Sequence, residues 1–231
     1  HDPEGLCHRG EGIRNGIDGL AWTARRYITQ SEWDWMYDVS LFIQMMDDWV
    51  DLGTDLAEGV ITPVAEGTWT LDTVREHFAG PITYAGNHGT EDVGITWWDA
   101  VDFIGIDAYY VLTDKTDPTL DELKSAWIDK GYVETMAGLA KKYDRPVLIT
   151  EIGYRSADGT IKTPWDWDDL PLDLQEQADA YQAALDALWD QPWLEGIYWW
   201  NWDVNPQKGG LEDKDYTPYG KPAERILRAY Y

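Results

Sequence analysis

Short runs of consecutive apolar residues alternate with stretches of helical periodicity from residue 81 to residue 230. The clearest run, Pro146 to Ile149, follows a charged segment and precedes a polar loop that contains glycine. A continuous apolar run of this length is typical of a strand buried on both faces, as in a parallel sheet. The same pattern predicts further strands over residues 81–87, 101–110 and 194–202, and helices over 69–78, 120–127, 133–143, 173–189 and 223–230.

The first part of the chain has a weaker pattern. Residues 1–31 are predicted to form loops. Ser31 with Asp34 resembles the capping signature of a helix start, and apolar positions between Trp35 and Val50 then follow helical spacing. Residues 53–62 predict a short strand with Glu58 near its end.

Polar and aromatic residues follow the predicted strands from residue 81 onward and do not precede them. Asn87, His88, Asp107, Tyr109 and Glu151 all stand at such positions. Strands that alternate with helices form a parallel sheet, whose carboxyl ends are where ligands bind. We therefore predict an α/β fold of the (β/α)8 TIM-barrel type. A doubly wound sheet would place a glycine-rich phosphate loop after its first strand, and no GxGxxG or GKS/T motif is present.

Composition narrows the class of partner. The formal net charge of −25 and the pI near 4.2 argue against binding to nucleic acid or to anionic membranes. Cys7 is the one cysteine, and the four histidines lack metal-ligand spacing, so neither a disulfide nor a metal or other cofactor is expected. The sequence holds no apolar run of about 18 residues that could span a bilayer. The polar first residues carry no signal peptide, which leaves the localisation open between secreted and cytoplasmic, and we expect a monomer.

Aromatic composition points to carbohydrate. The chain has 15 tryptophans and 14 tyrosines but only 3 phenylalanines. Tryptophan and tyrosine combine a flat apolar face with a hydrogen-bonding edge, which matches the apolar face and hydroxyl rim of a sugar ring. Some of these rings fill the core, but the loop of Trp165, Asp166 and Trp167 is a candidate aromatic platform.

Carboxylates supply the candidate chemistry. Glu151 ends the clearest strand, where a glutamate is either a capping or ion-pair residue or a catalytic acid, base or nucleophile. No GxSxG motif surrounds any serine, so the sequence indicates no serine hydrolase of that type. Two carboxylates flanking a glycosidic bond suffice for hydrolysis, since one attacks or activates water while the other protonates the leaving oxygen. Glu58 is the candidate partner.

Several motifs together resemble glycoside hydrolase family 113, a family of barrel enzymes that are chiefly β-mannanases. They are the stretches Thr150-Glu-Ile-Gly-Tyr-Arg-Ser-Ala-Asp-Gly159, Trp165-Asp-Trp167, Gly196-Ile-Tyr-Trp-Trp-Asn-Trp202, Asp215-Tyr-Thr-Pro-Tyr-Gly-Lys-Pro222, Tyr84-Ala-Gly-Asn87 and Asp102-Phe-Ile-Gly-Ile-Asp-Ala-Tyr109. The resemblance runs from about residue 69 to the C-terminus.

This resemblance implies roles for individual residues. Glu151 matches the nucleophile at the end of the seventh strand, and Tyr109 resembles the sixth-strand tyrosine beside it. Trp200 or Trp202 matches the aromatic floor under the reacting sugar. Substrate contacts are expected from Asn87, His88, Asp107, Tyr109, Tyr154, Trp167, Trp200 and Trp202.

Two departures from the family pattern affect the prediction. The first barrel strands are not found before His1, so residues 1–231 are expected to form a single barrel domain holding strands 3 or 4 to 8. The acid/base glutamate of the family follows its fourth strand in a run that this chain lacks, so Glu58 is the first candidate and Glu66 the second.

The leading hypothesis is a retaining, endo-acting glycoside hydrolase that cleaves β-1,4-mannan or a related β-linked polysaccharide. A β-glycosidase of other specificity is one alternative. A non-catalytic carbohydrate-binding barrel and a wholly structural protein are the alternatives from other classes.

Overall fold

The described part of this computed structural model comprises residues 70–203, 205 and 207–231, without the side chains of Thr73 and His77. The chain divides into two compact units, residues 1–80 and 81–231. The described residues of the first unit contain helix α1 (Leu71–His77), close to the prediction of a helix over residues 69–78. The predicted loops, helix and strand before residue 70 lie outside the described residues.

A parallel sheet forms the centre of the second unit. Its strands are β1 (Ala85–Asn87), β2 (Ile104–Asp107), β3 (Val147–Ile152) and β4 (Leu194–Trp199). They lie side by side in chain order, and every pair of neighbours is parallel. All four strands were predicted. The central strands β2 and β3 hold the fully buried residues that a sheet covered by helices requires, whereas β1 and β4 are only partly buried.

Helices connect the strands. They are α2 (Glu91–Gly94), a 3-10 turn (Trp98–Ala100), α3 (Leu120–Asp129), α4 (Tyr132–Tyr143), α5 (Leu174–Leu188) and α6 (Pro222–Tyr230). Local sequence explains where they begin. Thr119 and Glu122 form a reciprocal capping box at α3, Asp173 accepts hydrogen bonds from two backbone amides at the start of α5, and Pro222 occupies the first turn of α6.

The core lies between the sheet and these helices. Strand residues Ile104, Ile106, Val147 and Ile149 are fully buried. The helical stripe predicted for α5 is buried throughout, since the exposed fraction of Ala178, Tyr181, Leu185 and Leu188 is at most 1%. Helix α5 packs against α3 and α6.

Three strands are shorter than predicted. Strands β1 and β2 begin later, because side chains replace part of the ladder there, and β4 ends at Trp199 instead of Trp202. The amide of Ile82 donates to the Asp102 carboxylate at 2.7 Å, and the hydroxyl of Thr83 donates to the carbonyl of Phe103 at 2.9 Å. A Cβ on Gly105 would lie 2.1 Å from the carbonyl oxygen of Tyr84, so only glycine permits this approach. Residues 81–84 and 101–103 are therefore joined without regular strand pairing.

Candidate active site

The polar ends of the strands meet at one edge of the sheet. Asn87 pairs in register with Asp107, and Asp107 pairs with Glu151. Ile152, the next residue, pairs with Trp199. Since the strands are parallel, their carboxyl ends share this edge, and the three predicted polar residues lie on adjacent strands there.

A bulge in β3 decides which way Glu151 faces. Ile106 pairs with Ile149 and Asp107 with Glu151, so Thr150 is an extra residue in the ladder. Regular alternation would place Glu151 on the buried face of the strand, with Val147 and Ile149. Instead Thr150 and Glu151 are both half-buried, and Ile152 is the next fully buried residue. The bulge thus turns the Glu151 side chain away from the core, as bulges beside functional sites do.

Tyr109 holds the carboxylate of Glu151. Its hydroxyl donates a hydrogen bond of 2.9 Å to Glu151 Oε2. Burial raises the pKa of Tyr109, and the hydrogen bond to Glu151 raises it further. The phenol therefore keeps its proton and remains a donor, which orients the Glu151 carboxylate.

Asp107 is a second carboxylate beside Glu151. Burial raises the pKa of Asp107 to about 6, and the negative charge of Glu151 adds to this rise. A hydrogen bond of 2.7 Å, donated by the Thr150 hydroxyl to Asp107 Oδ1, opposes the rise in pKa. The environment therefore penalises the charge of Asp107 near neutral pH.

His88 is tied to the same strand end. Its backbone amide donates to the carbonyl of Asp107 at 3.3 Å, and its ring Nδ1 lies 3.1 Å from that oxygen. Because a carbonyl only accepts, Nδ1 carries the proton. Burial lowers the pKa of His88, which favours the neutral ring. The ring packs edge-on to Tyr110 and lies 6.0 Å from the ring of Trp165, so it forms part of an aromatic wall.

A further carboxylate, Glu91, fixes Asn87. Glu91 accepts from the backbone amide of Asn87 at 2.7 Å, from its side-chain amide at 3.0 Å, and from the Tyr84 hydroxyl at 2.5 Å. Burial alone would raise the pKa of Glu91, but these hydrogen bonds outweigh burial and lower it. Glu91 was not among the predicted site residues, although a glutamate four residues after the strand-end residue Asn87 is a usable signal.

The end of β4 carries two exposed tryptophans. Trp200 is 41% exposed and Trp202 is 52% exposed, and the ring of Trp202 lies 6.0 Å from that of Tyr219. The amide of Trp200 donates to the carbonyl of Ile152 at 2.8 Å, which continues the pairing of β4 with β3. A Cβ on Gly153 would lie 1.9 Å from the Trp200 carbonyl oxygen, so the glycine after Glu151 allows the two strand ends to meet.

The loop after β3 presents Trp167. Arg155 is buried, and its guanidinium lies 5.6 Å from the Trp167 ring centroid. The same guanidinium donates a hydrogen bond of 2.8 Å to the carbonyl of Asp168. Trp167 also packs edge-on against Tyr216, yet it remains 61% exposed. A rigid, exposed aromatic face is what a sugar platform needs.

A buried lysine anchors the loop before α6 to the loop after β3. Lys221 Nζ pairs with the Asp213 carboxylate at 2.9 Å and also donates to the Ser156 hydroxyl at 2.8 Å and the Asp215 carbonyl at 2.7 Å. Burial lowers the pKa of Lys221, and the charge of Asp213 opposes that shift. This contact fixes the loop that carries Tyr216 and Tyr219. The ring of Tyr216 lies beside that of Trp167, and the ring of Tyr219 lies beside that of Trp202.

Tyr154 requires a correction. It was predicted to contact substrate, but its side chain is fully buried and its ring lies 6.1 Å from that of Tyr181 in α5. Tyr154 lies beyond the end of β3, in a segment whose residues 152–157 are all buried, so it packs in the core and not at the site. Glu58 and Glu66, the candidate acid/base residues, lie outside the described residues.

The remaining expectations concern metals and membranes. Among the described residues, no cluster of three or more histidine, cysteine, aspartate or glutamate side chains could hold a metal ion. Over the same residues, no helix has the length and apolar character needed to cross a membrane.

Comparison with known proteins identifies related sequences and folds. The sequence pattern of glycoside hydrolase family 113 matches residues 56–221. The family 113 β-mannanase AaManA from Alicyclobacillus acidocaldarius is 32% identical, with a TM-score of 0.57 over 69% of this chain and 48% of that protein. A family 113 β-1,4-mannanase solved as a complex is 25% identical, with a TM-score of 0.58 over 88% of this chain and 63% of that protein. A search of curated proteins gives no match.

These likenesses confirm the fold class. The parallel sheet, the alternation of strands and helices, and the similarity to two family 113 enzymes agree with an α/β fold of the TIM-barrel type. The aligned region spans between 48% and 63% of the length of those two proteins.

Proposed function

This chain belongs to glycoside hydrolase family 113, and we propose on that basis that it is part of a retaining, endo-acting hydrolase of β-1,4-mannan or a related β-linked polysaccharide. The observation that supports this most is the placement of Glu151. It stands at the carboxyl edge of a parallel sheet, turned out of the core by a bulge and held by the Tyr109 hydroxyl at 2.9 Å. That is where barrel enzymes place their catalytic groups.

In this proposal Glu151 is the nucleophile. Its carboxylate attacks the anomeric carbon of the bound sugar, the glycosidic bond breaks, and a second carboxylic acid protonates the departing oxygen. Water then hydrolyses the glycosyl-enzyme ester with the second residue acting as base, so the anomeric configuration is retained. We propose Glu58 as the second residue, and a retaining mechanism requires the two carboxyl groups to be about 5–5.5 Å apart.

The surrounding aromatic residues are proposed to bind the polysaccharide. Trp200 and Trp202 follow β4 and expose 41% and 52% of their surface, and Trp167 is 61% exposed on the neighbouring loop. Their faces would stack on sugar rings, while Asn87 and His88 would bond to hydroxyl groups. We also propose that the chain forms one barrel domain.

Substitution of Glu151 by glutamine tests the proposal. The amide cannot act as the nucleophile, so turnover should fall about 10⁴-fold or more while binding is retained, because the side chain keeps its size. Hydrolysis of mannan, glucomannan and xylan would be followed by reducing-end release, and binding by calorimetry. Early NMR spectra of the products should show the β-anomer first.

Glu195→Gln is the matched control. Glu195 is exposed near the amino end of β4, at the opposite edge of the sheet, and should tolerate the change. Full activity of Glu151→Gln would refute the nucleophile assignment. Binding of these polysaccharides without hydrolysis by the unsubstituted protein would instead support the non-catalytic carbohydrate-binding barrel.

A further inference from the structure

The bulge in β3 needs a support of its own. Thr150 is the extra residue, so it has no partner of its own in the ladder register of β2 and β3. Its neighbour Glu151 depends on it directly, because any shift of the Thr150 backbone moves the next residue. Ladder contact resumes beyond the bulge, where the amide of Ala108 donates to the Glu151 carbonyl at 2.6 Å.

The side chain of Thr150 supplies a contact that the ladder lacks. Its hydroxyl donates to Asp107 Oδ1 at 2.7 Å, a normal distance for an O–H···O hydrogen bond. Asp107 is itself fixed from the other side, since its carbonyl accepts from the amide of His88 at 3.3 Å. The bulge is therefore attached through Asp107 to the end of β1.

We propose that Thr150 and Asp107 are positioning residues, whose hydrogen bond clamps the bulge and so keeps Glu151 aimed at the substrate. This inference rests on the proposed function of Glu151 as nucleophile. Two residues at the end of β2 act on two successive residues of β3. Asp107 holds Thr150, and Tyr109 holds Glu151.

The alternative role for Asp107 is direct contact with a sugar hydroxyl. The two roles differ kinetically. Loss of a substrate contact that is equally strong in ground and transition states raises KM and leaves kcat unchanged. Misalignment of the nucleophile lowers kcat, and a misplacement of about 1 Å can reduce a rate on the order of a hundredfold.

Thr150→Val separates these roles. It keeps the shape of the side chain and removes the hydroxyl, so kcat on the polysaccharide should fall about 10- to 100-fold while KM changes by less than about threefold. Thr150→Ser restores the hydroxyl and should return kcat to within about threefold of the unsubstituted protein.

Thr83→Val is the matched control. The Thr83 hydroxyl also crosses between neighbouring strands, to the carbonyl of Phe103 at 2.9 Å, but it lies before the amino end of β1. This variant should lose stability and keep kcat. Equal loss of kcat in Thr150→Val and Thr83→Val would show a general structural effect and overturn the proposal, as would failure of Thr150→Ser to restore activity.

A crystal structure of Thr150→Val gives a readout that needs no turnover. The Tyr109–Glu151 contact of 2.9 Å should be lost or lengthened in this variant and kept in Thr150→Ser. An unchanged Glu151 side chain in Thr150→Val would overturn the clamp even if the protein proves to have no hydrolase activity. If Glu151 is displaced in Thr150→Val but the unsubstituted protein has no hydrolase activity, the displacement supports the clamp and the missing activity refutes the proposed function.

Discussion

Gly153→Ala should disrupt the junction between β3 and β4. The new Cβ would lie 1.9 Å from the Trp200 carbonyl oxygen and 3.1 Å from Cδ1 of Tyr216. A carbon–oxygen contact of about 3.3 Å is normal, so one of the two backbones must move by about 1.4 Å. Overpacking costs about 1–3 kcal/mol, and loss of the bond from the Trp200 amide to the Ile152 carbonyl costs about 0.5–1.5 kcal/mol. The expected loss of unfolding free energy is roughly 2–4 kcal/mol.

Urea unfolding followed by tryptophan fluorescence measures this loss. The urea midpoint should fall while the slope of unfolding free energy against urea concentration stays the same, as expected when stability changes but the surface exposed on unfolding does not. Gly196→Ala is the control, because a Cβ there meets nothing closer than Leu148 Cδ1 at 3.6 Å. Polysaccharide affinity should also weaken in Gly153→Ala, since Trp200 is displaced. Unchanged stability and affinity in Gly153→Ala would refute the close approach of the two strand ends.

Two other substitutions have defined outcomes. Burial raises the pKa of Glu176 to about 7, although its carboxylate accepts hydrogen bonds from the amides of Gly159 and Ile161. The folded state then holds the proton more tightly than the unfolded state, so this residue should lower stability by roughly 2–4 kcal/mol as pH rises from about 4.5 to about 7. Urea unfolding at several pH values should show that dependence in the unsubstituted protein and not in Glu176→Gln; parallel curves would contradict it. Gly138 lies in α4 with open space around its Cβ position, so Gly138→Ala should raise the unfolding free energy by about 0.5–1 kcal/mol, and a lower thermal midpoint would contradict this.

The main elements of the second unit were predictable because one physical signal dominates them. Buried parallel strands need continuous apolar runs, and the amphipathic stripe of α5 repeats with helical period. Strand ends were less predictable. The apolar run from residue 81 predicted a strand over residues 81–87, but the observed strand covers Ala85–Asn87. The Ile82 amide instead donates a hydrogen bond of 2.7 Å to the Asp102 carboxylate. A side chain that caps a distant amide leaves no pattern in the local sequence.

The site was predictable to the extent that topology fixes it. Asp107 and Glu151 end adjacent strands, so a parallel sheet brings them together at one edge. The bulge at Thr150 was not predictable, because an extra residue is defined only by the pairing with the neighbouring strand. The burial of Tyr154 was not predictable from strand alternation either. The chain is buried continuously from residue 152 to residue 157, and Tyr154 lies within that segment instead of near Glu151 at the surface.

Two carboxylates share this edge, and their surroundings differ. Asp107 is the one whose charge the site disfavours, because burial raises its pKa to about 6 and the charge of Glu151 adds to the rise. Glu151 is the one that receives a hydrogen bond from a phenol which itself stays protonated. These different surroundings support the two proposed roles, attack by Glu151 and positioning by Asp107. Loss of the negative charge at Asp107 in Asp107→Asn should therefore reduce hydrolysis, measured by reducing-end release, far less than loss of the charge at Glu151 in Glu151→Gln.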